Sequence, residues 1–223
     1  MSKPSKAAAR HGVDAAIEAF ARGSPVLIHD FDDREGEVDM VYPAGAVEAD
    51  DVATLRNDAG GLLCVALGAD VAAAFDLPFL AEELSHPAAE SGHLGYDERS
   101  SFSLPVNHRD TYTGVTDVDR ATTVRALGEA AASPGTTDFA REFRAPGHVH
   151  VLRAAAEGLE ERRGHTEMGI ALADAAGLPP AVVVTEMLDD ETGEALSVAA
   201  ARSYAERHGV PFVEGADLVA ALE

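Results

Sequence analysis

The chain has 223 residues, 46% of them hydrophobic, and a net charge of −22, with lysine only at positions 3 and 6. That apolar content suffices for one sizeable core, so a single domain over 1–223 is expected. No basic patch exists to neutralise phosphates, which argues against nucleic acid. No apolar run approaches the roughly 20 residues of a membrane span, and the lone Cys64 rules out a disulfide framework or a cysteine-rich zinc site.

In chain order, the N-terminus "MSKPSKAAARHG" is polar and lacks a signal-peptide core. Val13, Ile17 and Phe20 recur at helical spacing from His11 to Arg22, and Gly23 is a natural stop. Pro25 to His29 reads as a short apolar strand, and Glu37 to Tyr42 alternates, so the two predict a hairpin around an acidic turn. A helix over Glu48 to Asp58 ends at Gly60-Gly61, and "LLCVAL" reads as a strand. Leu77 to Asp110, rich in proline, glycine and histidine, predicts loops, with either a lid over a site or an ordinary surface connection. Asp119 to Ala131 predicts a helix, and "FRAPGHVHVLRAAAEG" a turn and a strand. "HTEMGIALADAAG" predicts a helix buried through Ile170, Leu172, Ala173 and Ala176, and "PAVVVTEML" a strand. A helix over Ser197 to His208, stopped by Gly209, then "VPFV" and a short helix complete the chain. Strands separated by helices, with an initial hairpin, predict an α/β (α+β) fold in which helices flank a layered mixed sheet.

Two stretches carry chemistry. "DFDDREGEVD", Asp30 to Asp39, packs six carboxylates and one arginine into ten residues. A solvated charge run is one reading, in keeping with an acidic, lysine-poor chain suited to a high-salt cytoplasm. A calcium loop fails, because Glu35 stands where glycine is required and Val41 where the bidentate glutamate belongs. Strand alternation would turn Glu35, Glu37 and Asp39 to one face, a set of oxygen donors suited to Mg²⁺. "ERRGHTE", Glu161 to Glu167, opens a helix; its arginines, glycine, threonine and free N–H groups suit a phosphate, or the arginines form surface ion pairs. His165 becomes a metal ligand, as neutral imidazole, if it faces the acidic turn. Glu186 ends an apolar strand, where it serves either as an acid or base or as a surface group. His148, after the Pro-Gly pair, and Cys64, within a strand, are each structural when taken alone.

The segments "DDREGEVDMVYPA", "TYTGVTDVDRATTVRA", "APGHVHVLRA" and "RRGHTEMGIALADAAGLPPAVVVTEML", in this order over nearly the whole chain, resemble the 3,4-dihydroxy-2-butanone 4-phosphate synthase family of riboflavin biosynthesis, in its single-domain archaeal form. The resemblance implies a Mg²⁺-dependent conversion of D-ribulose 5-phosphate to 3,4-dihydroxy-2-butanone 4-phosphate and formate. It further implies two ions per site, Mn²⁺ as a substitute, and a cytoplasmic homodimer whose sites lie near the subunit interface.

Carried over by position, Glu35 and His165 match metal ligands. Arg34, Glu35, Asp39, Glu186 and the run Arg162, Arg163, Gly164, His165, Thr166 match substrate contacts, the run around the phosphate. His148, Glu186, Asp39 and Cys64 match the catalytic set, with Asp30, Glu37 and Glu167 as further polar positions. "REGEVD" replaces the "RENEGD" of many relatives while keeping the carboxylates, and Ala145 stands where many have arginine, one residue after Arg144. The chain ends at Glu223, too early for the fused cyclohydrolase domain of some relatives. Two other functions fit the residues alone: a metal-dependent sugar-phosphate isomerase, and a non-catalytic ion-binding protein.

Overall fold

The computed structural model describes residues 6–31, 34–89, 97 and 99–222, with the side chains of 6–9 left aside. Asp32 and Asp33 of the acidic run, the extreme N-terminus, and 90–96 and 98 of the expected loop or lid lie outside the described residues.

The strands are β1 (Val26–His29), β2 (Val38–Pro43), β3 (Cys64–Leu67), β4 (Phe102–His108), β5 (Phe143–Arg153), β6 (Ala181–Glu186) and β7 (Phe212–Glu214). They form one sheet in the order β4-β5-β3-β6-β2-β1-β7. The β1/β2 hairpin is antiparallel, as are β2/β6, β3/β6 and β4/β5, while β1/β7 and β3/β5 are parallel. The sheet is therefore mixed, as the initial hairpin implied.

Helices α1 (Lys6–Ala21), α2 (Ala49–Thr54), α3 (Ala69–Ala74), α4 (Leu80–Glu83), α5 (Asp117–Ala132), α6 (Phe139–Glu142), α7 (His165–Ala175), α8 (Val198–His208) and α9 (Gly215–Leu222) connect the strands. Strand alternation sorts the core into two layers. Val38, Met40 and Tyr42 of β2 and Val65 and Leu67 of β3 pack with Val52 of α2, Val124 and Leu127 of α5 and Ala201 of α8. Val41, Cys64, Ala66, Val182 and Val184 point the other way, toward Phe20 of α1, Met168 and Leu172 of α7 and Leu218 of α9. Asp39 and Glu186 share the parity of this second set, so two carboxylates emerge on the α7 face of the sheet.

Three expectations need correction. β4 lies in the stretch read as loops: it carries Pro105 and, among the described residues, is the edge strand beside β5, a position that tolerates a missing N–H. β2 begins at Val38, and Gly36 at φ +68° is left-handed, so strand alternation does not extend back to Glu35. The Pro-Gly pair is no turn between elements. Val106 pairs with Val149 and Asn107 with Arg144, so Ala145 to His148 bulge out of β5 within one step of β4. Gly147 is required there, since a Cβ would come within 2.0 Å of the Val106 carbonyl carbon.

Candidate active site

The turn between β1 and β2 is built around Asp30 and Arg34. The Asp30 N–H donates to the Glu37 carbonyl at 2.9 Å, closing the end of the hairpin. One Asp30 side-chain oxygen accepts from the Phe31 N–H at 2.6 Å, and the other from Arg34 Nη1 at 2.8 Å. Arg34 also lies 3.2 Å from Glu35 and donates to Asp97 at 2.9 Å. The turn, rather than strand alternation, therefore brings Glu35 and Glu37 beside Asp39.

Helix α7 starts against this turn. Its N-cap, Gly164, lies under two guanidinium groups: a Cβ there would sit 2.4 Å from Arg162 Nη1 and 2.9 Å from Arg34 Nη1. Arg162 is held by Asp97 at 2.6 Å and by the buried Glu167 at 2.6 Å, whose other oxygen accepts from the Ala155 N–H. Glu167 thus supports Arg162. Thr166 lines the same cavity in the first turn of α7, where helix N–H groups and the positive end of the helix dipole favour negative charge.

His165 joins the two parts. Its Nε2 lies 3.2 Å from the Ile28 carbonyl, which can only accept, so Nε2 carries the hydrogen. Nδ1 then faces Glu35 at 3.6 Å and Asp39 at 3.7 Å. One donor atom each from Asp30, Glu35 and His165 lie within 4.8 Å of one another. Carboxylate oxygens with one imidazole nitrogen, oriented by a backbone carbonyl, fit a hard divalent cation.

The electrostatics support the fit. Burial pushes the His165 pKa down, but Asp39, Glu35 and Asp30 outweigh it and raise it to about 9. A proton occupies the place that a cation would take. Asp39 is raised to about 6 by burial, with His165 opposing and Glu35 and Glu186 adding to the rise. Glu37 is raised to about 7 by burial and by Glu186, Glu35 and Asp39. Glu186, which pairs with Asp39 across β2 and β6, is raised by burial and by Glu35. Burial also pushes Glu35 upward, but His165 and Arg34 outweigh that and lower it. The carboxylates around His165 thus carry more negative charge than the arginines and imidazole balance.

These groups line one cavity of about 420 Å³, which holds Arg34, Glu35, Glu37, Asp39, Arg162, His165, Thr166 and Glu186. Cys64 forms part of its wall. Burial, with Asp39 adding to it, pushes the Cys64 thiol up to about 12, so it stays neutral and offers at most a weak hydrogen bond. Gly164 lies beneath Arg34 and Arg162 rather than on the cavity lining, and two further expected residues stand elsewhere. Arg163 is exposed and does not line the cavity. His148 is also exposed and outside the cavity, with its backbone N–H on Asn107 Oδ1 at 2.8 Å and its Nδ1 3.1 Å from Asn107 Nδ2. Nor does Arg144 replace an arginine at Ala145: it donates to the carbonyls of Thr111 and Tyr112.

Sequence reasoning missed Asp97, which bridges Arg34 and Arg162, and the stretch Arg99 to Phe102, which lines the cavity. Arg99 stacks over the Phe79 ring at 3.8 Å and reaches Glu161 at 3.4 Å. An arginine in so acidic a chain, followed by two serines, was the available signal.

A family model described as 3,4-dihydroxy-2-butanone 4-phosphate synthase matches residues 14–221. A protein of that name from Archaeoglobus fulgidus is 49% identical over 218 residues, covering 92% of each chain. One from Saccharomyces cerevisiae is 30% identical, covering 95% of this chain and 98% of its own. Among solved structures, a 3,4-dihydroxy-2-butanone 4-phosphate synthase in complex with two magnesium ions superposes with a TM-score of 0.80 at 30% identity, over 95% of this chain and 96% of its own. A two-domain synthase from A. baumannii superposes with a TM-score of 0.78 at 29% identity, over 92% of this chain and 56% of its own.

Proposed function

The chain belongs to the 3,4-dihydroxy-2-butanone 4-phosphate synthase family, an enzyme of riboflavin biosynthesis with Mg²⁺ as cofactor, and we propose that its cavity converts D-ribulose 5-phosphate to 3,4-dihydroxy-2-butanone 4-phosphate and formate. The observation that carries this reading is the adjacency of Glu35, Asp39 and His165 to Arg34, Arg162 and Thr166 within one cavity. A sugar phosphate placed there would have its phosphate on Arg34, Arg162, Gly164 and Thr166, and its carbonyl end toward Glu35 and His165. Remote phosphate binding then positions the reacting carbons.

Glu35 and His165 Nδ1 would hold the cation, with Asp30 beside them and Mn²⁺ as a substitute. When bound, the cation supplies Lewis-acid stabilisation of enediolate charge and orients neighbouring oxygens. The protein contributes the proton transfers. Removal of a proton beside the carbonyl, loss of water, a carbon shift, re-addition of water and formate release require groups that both accept and return protons. Burial and the neighbouring carboxylates raise Asp39 to about 6, Glu37 to about 7 and Glu186 in the same direction in the cation-free cavity, so these are the groups there that most readily take up protons. We assign proton transfer to Asp39, Glu186 and His148, with Glu37 as a neighbouring participant and Cys64 as a neutral wall contact.

His148 serves this set in a homodimer. Its side chain is exposed beside a loop bearing exposed Tyr112 and Val115, with exposed Val118 following in the first turn of α5, apolar groups suited to a second copy. In that arrangement His148 of each chain enters the other chain's cavity. The same reading takes 1–223 as one domain and the setting as a high-salt cytoplasm. No helix among the described residues is long and apolar enough to cross a membrane.

Incubating purified protein with ribulose 5-phosphate and Mg²⁺ and measuring formate tests the reading. An isomerase would consume the substrate without formate, and an ion-binding protein would not consume it at all.

A further inference from the structure

Asn107 of β4 is a buried amide that meets the exposed His148 twice. Its Oδ1 accepts the His148 backbone N–H at 2.8 Å, a donor that the bulge in β5 has taken out of the ladder. An N–H can face only an acceptor, so this contact settles which end of the amide is oxygen and puts Nδ2 on the opposite side. Nδ2 lies 3.1 Å from His148 Nδ1 and 3.5 Å from the Thr113 carbonyl oxygen. An amide nitrogen can only donate. His148 Nδ1 therefore accepts, and in the neutral ring the hydrogen sits on Nε2. The surroundings hold the amide in this place: a Cβ at Gly114, where φ is +81°, would fall 2.1 Å from Nδ2, and one at Gly147 would fall 2.3 Å from the Asn107 backbone nitrogen. The loop that carries the Thr113 carbonyl is tied in turn to α5, where Asp119 Oδ2 accepts the N–H groups of Thr113 at 3.1 Å and of Gly114 at 2.8 Å.

We propose that Asn107 is a positioning residue for His148, which it orients and fixes in the Nε2–H tautomer, so that the imidazole meets the substrate as a hydrogen-bond donor. The proposal rests on the reading in which His148 enters the partner's cavity and takes part in the reaction there. A donor suits a substrate oxygen on which charge develops. A base acting through Nε2 would need its hydrogen on Nδ1, where Asn107 Nδ2 already points one of its own. Removal of the carbon-bound proton then falls to the carboxylates Asp39 and Glu186, and His148 hydrogen-bonds an oxygen. The other part of Asn107, satisfying the N–H freed by the bulge, is one that aspartate can also play. Asn107→Asp keeps an oxygen for that N–H and puts an acceptor opposite Nδ1, so it separates the two parts.

The test combines long-range proton–nitrogen NMR spectra of the full-length, Mg²⁺-loaded protein with steady-state formate release. The His148 ring is assigned by its absence from the spectrum of His148→Ala. In the unsubstituted protein the neutral ring should show a bare Nδ1 and a protonated Nε2, and in Asn107→Asp the hydrogen should move to Nδ1. The same variant should lower kcat by about tenfold or more while KM for ribulose 5-phosphate stays within about twofold, because the phosphate and cation sites are untouched. A hydrogen on Nδ1 in the unsubstituted protein overturns the proposal. So does an Asn107→Asp variant that keeps the kcat of the unsubstituted protein, which would limit Asn107 to satisfying the bulge. If His148→Ala itself releases formate at the unsubstituted rate, the assignment of His148 to the reaction fails and takes the proposal with it.

Discussion

His165 points its Nδ1 at Glu35, 3.6 Å from a carboxylate oxygen, while its opposite nitrogen donates to the Ile28 carbonyl. The β1 backbone thus orients a side chain at the start of α7, and the nitrogen left over faces the acidic turn. This one contact brings the two chemically informative stretches of the chain together.

Removing either partner should therefore abolish Mg²⁺-dependent turnover without unfolding the chain. Glu35→Ala and His165→Ala are each expected to weaken Mg²⁺ by more than about a hundredfold, beyond the effect typical of groups that only support ligands. Calorimetry with Mg²⁺, alongside circular dichroism, checks both halves. Lost activity with lost secondary structure would assign the pair a structural part instead.

The raised pKa values give a pH dependence of one sign. His165, raised from 6.5 to about 9, stabilises the fold fully below its unfolded pKa, and that contribution is lost as pH rises through about 9. Asp39, raised to about 6, and Glu37, raised to about 7, bind protons more readily when folded, so their ionisation also costs stability as pH rises through those values. In EDTA the thermal midpoint should fall between about pH 5 and pH 9. The upward shift produced by Mg²⁺ should be larger at high pH, where it no longer competes with the His165 proton. A Mg²⁺ shift that shrinks with rising pH would contradict this.

Much of this site was legible before any coordinates, and what was missed has physical causes. The hairpin was marked by alternation, and the left-handed glycines 23, 60 and 209 ended their helices as expected. The "RRGHTE" stretch did open a helix. β4 was hidden because an edge strand carrying Pro105 and two register shifts has neither a steady period nor a pure β composition. Asp97 and Arg99 reach the cavity from a stretch without periodicity, where no spacing rule predicts which side chain turns inward. The convergence of Glu35 with Asp39 was anticipated through strand alternation, but a left-handed Gly36 in a turn produces it.

The proposed homodimer, in which the exposed His148 reaches the partner's cavity, is tested by mixed dimers. His148→Ala and Arg162→Ala should each be inactive. Dissociated and reassociated in equal amounts, they should recover about a quarter of the unsubstituted activity, because half of the dimers are mixed and each of those has one intact site. No recovery from dimers shown to exchange subunits would place His148 outside the partner's site.

Net charge makes stability depend on salt. With −22 charges unbalanced, shortening the Debye length from about 10 Å at 0.1 M to about 3 Å at 1 M relieves repulsion across the surface. The thermal midpoint should rise with KCl over that range. A flat or falling midpoint would argue against a high-salt setting while leaving the site untouched.

Formate release tests the central claim most directly. With Mg²⁺, the protein should release formate in equal amount to the ribulose 5-phosphate consumed, and both should cease in EDTA and in Glu35→Ala. Consumption without formate would show that chemistry stops at the enediol, and formate produced at full rate in EDTA would show that Glu35 and His165 do not hold the cation the reaction needs.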